Sequence, residues 1–126
     1  MDFLPDSNIL IRFFRQESAE TEFLKEHLKA GIMYISPVVI GKIVSKASSL
    51  ELEQFEQLIS YWPIIPVDKE IAIVAGNYRK QIVSKTKKVY LLDCFLAATC
   101  KVHNLTLVTN DLKDYPMKDI KIIKPD

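Results

Sequence analysis

The chain has 126 residues, 48% of them hydrophobic and 26% charged, and a net charge of +1. That size and mixture suit one globular domain with a single core, expected over residues 1–126. The near-neutral balance excludes a molecule-wide pull on nucleic acid or on an anionic membrane, and no apolar run approaches the roughly 20 residues that span a bilayer.

Met1 to Pro5 is mostly apolar and reads as a buried first strand. Asp6-Ser7-Asn8 ends it and supplies good helix N-caps for the apolar run Ile9 to Phe14. Ser18 can cap a second helix with Phe23, Leu24 and Leu28 at helical spacing, ended by Gly31. Met33-Tyr34-Ile35 reads as a second strand. Ser36 followed by Pro37 is an N-cap and a first-turn proline, opening a helix with Val38, Val39, Ile40, Ile43 and Val44.

Ser48-Ser49-Leu50-Glu51 has capping-box spacing, and Leu52, Phe55, Leu58, Ile59 and Trp62 then fall on one helical face until Pro63. Ile64-Ile65-Pro66-Val67 reads as a third strand whose prolines suggest a sheet edge. Asp68 caps a helix that turns Ile71, Val74, Ala75, Tyr78 and Ile82 inward, and Ser84 to Lys88 is a basic loop.

The stretch Val89 to Asp111 organises the rest. Asp93 is expected to open a nearly all-apolar core helix, Asn104 to stop it, and Leu105 to Val108 to form a buried strand followed by Thr109-Asn110-Asp111. Lys121-Ile122-Ile123 is a last strand before Pro125. Strands alternating with helices predict a parallel sheet of four to five strands between two helical layers, an α/β/α fold with right-handed crossovers.

The N-terminus MDFLPDSN lacks a basic n-region and a cleavage site, so no signal peptide is expected. Cys94 and Cys100 lie six apart on one helix, about 240° around its axis, and cannot bridge each other there. A reducing cytoplasm is the expected compartment.

Three carboxylates hold comparable positions. Asp6 follows the first strand, Asp93 opens the core helix, and Asp111 follows the strand at Leu105. If those strands are parallel neighbours, the three converge at the carboxyl edge of the sheet, where α/β chemistry is usually done. Converging carboxylates raise one another's pKa, and a hard cation such as Mg²⁺ or Mn²⁺ relieves this. Such an ion can activate water and stabilise charge on a phosphodiester. Taken singly, Asp6 and Asp93 also read as helix caps and Asp111 as a turn former.

Three segments resemble a known family. Leu4-Pro5-Asp6-Ser7-Asn8-Ile9-Leu10-Ile11 is similar to the L-D-T-N-V-L-I opening of PIN-domain ribonucleases. Leu92-Asp93-Cys94-Phe95-Leu96-Ala97-Ala98-Thr99 resembles their D-A-x-I-A-A-T segment, and Leu105-Thr106-Leu107-Val108-Thr109-Asn110-Asp111 their L-x-L-V-T-x-D/N segment. The nearest subgroup is the small VapC-like toxins of toxin–antitoxin pairs.

The resemblance implies a three-layer PIN-like fold and Mg²⁺- or Mn²⁺-dependent endonucleolytic cleavage of RNA. It implies Asp6, Asp93 and Asp111 as metal ligands, with Asp114 a less favoured substitute for the last, and Ser7, Asn8 and Thr109 in support. It also implies an antitoxin partner and a homodimer.

The chain departs from the pattern at one position. Where the family places a glutamate after the second strand, Ile35-Ser36-Pro37-Val38-Val39-Ile40-Gly41-Lys42-Ile43 has Lys42. Two unit charges ~4 Å apart interact by roughly 4 kcal/mol at an effective dielectric of 20, so this reversal bears directly on metal affinity. Lys42 is expected to pair with Asp6, Asp93 or both and weaken or abolish cleavage; the alternative is a flexible stem that carries its charge to solvent.

Lys85, Lys87 and Lys88, with Arg12 and Arg15, are candidates for lining an RNA path. Phe13, Phe14 and Phe55 could form an antitoxin groove, although ordinary burial explains them too. Two further classes compete with the nuclease: a PIN-fold module that binds RNA or an antitoxin and cuts nothing, and a phosphoacceptor signalling domain. The last lacks paired acids near the N-terminus to serve Asp68.

Overall fold

A computed structural model describes residues 1–15, 22, 26, 31–83 and 88–125. The strands are β1 (Asp2–Pro5), β2 (Ile32–Met33), β3 (Thr106–Val108) and β4 (Lys121–Ile123). The described helices are α1 (Ser7–Phe14), α2 (Pro37–Lys46), α3 (Ser49–Ile59), α4 (Lys69–Ile82) and α5 (Leu91–His103). The helix expected between Ser18 and Gly31 lies outside the described residues, apart from Glu22 and Glu26, which are helical and exposed.

All pairings are parallel, in the order β2-β1-β3-β4. Phe3 and Leu4 on β1, and Thr106, Leu107 and Val108 on β3, are buried in succession. A strand buried at consecutive positions is covered on both faces, as a parallel sheet between two helical layers requires. The central pair sits in register Phe3–Thr106, Leu4–Leu107, Pro5–Val108, so both strands end side by side. The Asp6 N–H donates to the Val108 carbonyl at 3.0 Å, joining the two exits.

The expected caps form. Ser36 accepts from the Val38 N–H with Pro37 behind it, and Ser48 and Glu51 close a reciprocal capping box. Asp68 caps α4. Asn104 ends α5 in the left-handed region at φ 53°, which asparagine tolerates better than most residues.

Two expectations are corrected. Ile64 to Val67 is not a strand: Ile64 makes a single bridge to Ile35. Ile35 N–H donates to the Pro63 carbonyl and Ile65 N–H to the Ile35 carbonyl, but Pro66 has no N–H to extend a ladder. Asp93 does not cap α5: Tyr90 does, without a side-chain bond, and Asp93 is the helix's third residue. Gly31 itself is not helical and its φ is negative. Its value is close approach, because a Cβ there would run into the Met1 carbonyl oxygen and the Phe3 ring.

Phe55 is fully buried and meets Phe14 edge-on, ring centroids 6.0 Å apart. Phe13 packs on Phe14 in turn. Phe55 belongs to the core, and Phe13 and Phe14 are partly buried against it. Cys94 and Cys100 are buried free thiols. At the far side, the Tyr78 hydroxyl donates to Asp119 at 2.7 Å, and Lys101 lies 3.6 Å from the same carboxylate. Among the described residues no helix is long and apolar enough to cross a membrane.

Candidate active site

The exits of β1 and β3 carry the site. Asp6 leaves β1 as the N-cap of α1, its Oδ1 accepting from the N–H groups of Asn8 and Ile9 at 3.1 and 3.2 Å. Its Oδ2 accepts from the Thr109 hydroxyl at 2.6 Å, and Thr109 Oγ1 in turn accepts from the Asp111 N–H at 3.0 Å. The Asn8 amide donates to Asp111 Oδ2 at 2.8 Å. Asp6, Asn8, Thr109 and Asp111 thus form one hydrogen-bonded ring across two chain segments. Ser7 is buried beside it as the first residue of α1.

Asp6 is buried, and burial pushes its carboxyl up to about 6. The bonds from Thr109 and Ile9 oppose the shift, and the charge of Asp111 adds to it. Asp114 ends the short 3-10 turn Leu112–Asp114. Its carboxyl is also raised, by partial burial and then by the charges of Asp93 and Asp111.

Asp93 enters from α5 and is 7% exposed. Its place one turn into the helix favours a negative charge. Lys42 enters from α2, one turn on from the buried Val39. Its Nζ donates to Asp93 Oδ1 at 3.0 Å. The lysine side chain is 24% exposed and that of Asp93 10%, so the ion pair sits at the site's mouth, largely out of water. Lys42 is also near enough to lower the pKa of Asp6 and Asp114.

Tyr115 completes the group. Sequence patterning gave it no role, because a buried tyrosine after a turn has no periodicity to mark its hydroxyl. That hydroxyl donates to the same Asp93 Oδ1 at 3.3 Å. Burial, with the charges of Asp6 and Asp93, raises its pKa and keeps the phenol protonated.

Arg12 is half-buried on the last turn of α1. Arg15 is exposed and near enough to Glu51 of α3 to act on it electrostatically. Lys88 is exposed, and Lys85 and Lys87 lie outside the described residues.

As they stand, these residues do not fit a tightly held divalent cation. Among the described residues no three His, Cys, Asp or Glu side chains form a group that could hold a metal ion. Both oxygens of Asp6 are engaged by N–H and O–H donors, and an ammonium occupies Asp93. A divalent ion needs carboxylate oxygens free to coordinate it.

A family model described as the PIN domain matches residues 3–120. The chain belongs to the PIN-domain family. It is 27% identical over 114 residues to ribonuclease VapC10 of Mycobacterium tuberculosis, spanning 90% of this chain and 86% of that protein. The fold matches that of a chain in the crystal structure of VapBC2 from Rickettsia felis bound to a DNA fragment from their promoter. There the TM-score is 0.85 and identity 20%, and both chains are covered in full. It also matches a chain of a toxin–antitoxin complex from Klebsiella pneumoniae, TM-score 0.75 and 24% identical, covering 98% and 97% of the two chains. In this PIN domain the exits of β1 and β3 and the start of α5 bring Asp6, Asp111 and Asp93 to one edge of the sheet.

Proposed function

We propose that this chain is an endoribonuclease-type PIN toxin, similar to the VapC proteins, whose acidic site is neutralised from within by Lys42. One observation carries the reading: the ammonium of Lys42 lies 3.0 Å from Asp93, on a carboxylate that the family resemblance gives to a metal. Asp6, Asp93 and Asp111 are the candidate ligands, with Asp114 beside them, and Mg²⁺ or Mn²⁺ is the ion such a site would use. Lys42 supplies positive charge in that ion's place, so metal affinity and RNA cleavage are weak in the chain as it stands.

The remaining assignments belong to the same proposal. Residues 1–126 act as one domain in the cytoplasm. RNA is the substrate, approached past Arg12, Arg15 and the basic loop of Lys85, Lys87 and Lys88. An antitoxin is the partner, in keeping with the similar toxin–antitoxin complex, and the active assembly is a homodimer. A second reading rests on the same ion pair: a module that binds RNA or an antitoxin and cuts nothing.

One experiment decides between them. Calorimetry with Mg²⁺ and Mn²⁺, paired with an RNA cleavage assay, is run on this chain, on Lys42→Glu and on Lys42→Glu/Asp93→Asn. Lys42→Glu is expected to bind Mn²⁺ at least about tenfold more tightly and to cut RNA, with Asp93→Asn abolishing the gain; a tenfold change is about 1.4 kcal/mol, well within one charge reversal. Equal tight binding by the native chain and Lys42→Glu would overturn the self-neutralised site. Tight binding by Lys42→Glu without cleavage would favour the non-cutting module.

A further inference from the structure

Lys42 and Tyr115 converge on one atom. Asp93 Oδ1 accepts from the Lys42 ammonium at 3.0 Å and from the Tyr115 hydroxyl at 3.3 Å. We propose that Tyr115 is a positioning residue: its hydroxyl fixes the Asp93 carboxylate so that Lys42 stays on it. The inference rests on the reading of Lys42 as the site's resident cation.

The two donors differ in what they can do. A lysine ammonium is a point charge on a flexible stem, with three rotatable donors and a strong preference for water. At 24% side-chain exposure, Lys42 has an open path to solvent. It stays on Asp93 only if the gain exceeds the entropy lost in ordering that stem, on the order of 2 kcal/mol at most. An anion already held in one orientation makes the gain larger, because only one partner remains to be ordered.

Tyr115 is built to hold it. The ring is buried at 4% exposure, so its position is set by packing. Its N–H donates to the Leu112 carbonyl at 3.1 Å, closing the turn that carries Asp114. The hydroxyl therefore ties the segment after β3 to the first turn of α5, across 22 residues. A phenylalanine would pack in the same place and leave Asp93 with one donor fewer.

The test reads the ion pair itself. Nitrogen-15 NMR of the lysine side chains measures how fast the Lys42 ammonium protons exchange with water in the full chain. In the native protein that signal is expected to be protected. In Tyr115→Phe, exchange is expected to quicken about threefold or more, the scale of one modest hydrogen bond. Tyr78→Phe is the control, since it removes a hydroxyl–carboxylate bond to Asp119 away from the site; Lys42 exchange should not move.

Unchanged or slower exchange in Tyr115→Phe would overturn the inference, the slower case because the hydroxyl would then compete with Lys42. An equal effect from Tyr78→Phe would overturn it by showing that global stability is being read. A Tyr115→Phe chain that fails to fold would overturn it as well, since a hydroxyl that only positions Asp93 is dispensable for folding. A native chain with no protected Lys42 signal would instead sink the reading of Lys42 on which the inference stands.

Discussion

Asn8 and Asp111 are 103 residues apart in the chain, and the amide of one donates to the carboxylate of the other at 2.8 Å. The bond exists because β1 and β3 are parallel neighbours in register from Phe3–Thr106 to Pro5–Val108. Asn8 stands at the head of α1 and Asp111 three residues past the end of β3. Asn8→Ala should lower stability by about 1 kcal/mol, the usual weight of one hydrogen bond to a partly buried group. Asn8→Asp should cost more, since it sets a third carboxylate beside Asp6 and Asp111. Urea denaturation of both variants checks the ranking; an Asn8→Asp chain as stable as Asn8→Ala would remove the like-charge argument.

Thr109 is fully buried and serves both neighbours, donating to Asp6 and accepting from the Asp111 N–H. Thr109→Val keeps the shape and strips both bonds, leaving a buried carboxylate short of one donor. The expected loss is about 2–3 kcal/mol. Thr109→Ser keeps the hydroxyl and deletes one methyl, which should cost nearer 1 kcal/mol. Valine must therefore be the worse substitution in a denaturant titration. A milder valine would mean that packing of the methyl, and not the hydroxyl, holds this position.

Much of this arrangement was legible in the chain. Ser36-Pro37, the Ser48–Glu51 box, Asp68 and Asn104 mark helix ends by local chemistry, and each lies where its residue type predicts. The three aspartate-bearing segments carry the family resemblance because each pairs a strand exit or helix head with a fixed apolar run. What failed was non-local or fine in register. Ile64 to Val67 has strand composition, yet a ladder needs consecutive N–H donors that Pro66 breaks, so only the bridge at Ile64 forms. Asp93 looked like the start of its helix, but Leu91 and Leu92 already have helical geometry before it. The hydroxyl of Tyr115 left no trace in the pattern, because a tyrosine that packs as a ring reads as any other aromatic.

The Asp6 carboxyl gives the site a pH signature. Burial lifts it to about 6 from an ordinary 3.8. Between roughly those two values the folded chain holds a proton that the unfolded chain has released. The stability linked to this group is therefore full below the unfolded value and lost as pH rises through the folded one. Two units correspond to about 3 kcal/mol at most. Asp6→Asn keeps the capping oxygen and removes the charge, so native and variant should be close in stability near pH 4. The variant should be more stable by about 2 kcal/mol at pH 7.5. Unfolding free energies across that range test it, and a difference independent of pH would show that Asp6 ionises as freely in the fold as out of it.

Lys42 and Asp93 can also be separated by stability alone, without metal or RNA. Lys42→Met keeps a long unbranched side chain one turn on from Val39 but leaves a largely buried carboxylate without its cation. Removing one partner of a buried pair typically costs 3–5 kcal/mol; the partial exposure of Lys42, 24%, lets water offset some of that, so about 2 kcal/mol is expected. Asp93→Asn in the Lys42→Met background removes the unpaired charge and keeps an acceptor for the Tyr115 hydroxyl. The double variant should therefore recover most of the loss, and the cycle should be non-additive by more than about 1 kcal/mol. Additive losses would mean that the ammonium and the carboxylate spend their time in water, each indifferent to the other. The lysine would then leave Asp93 free for a divalent ion, and the attenuation argued from its position would have no physical cause.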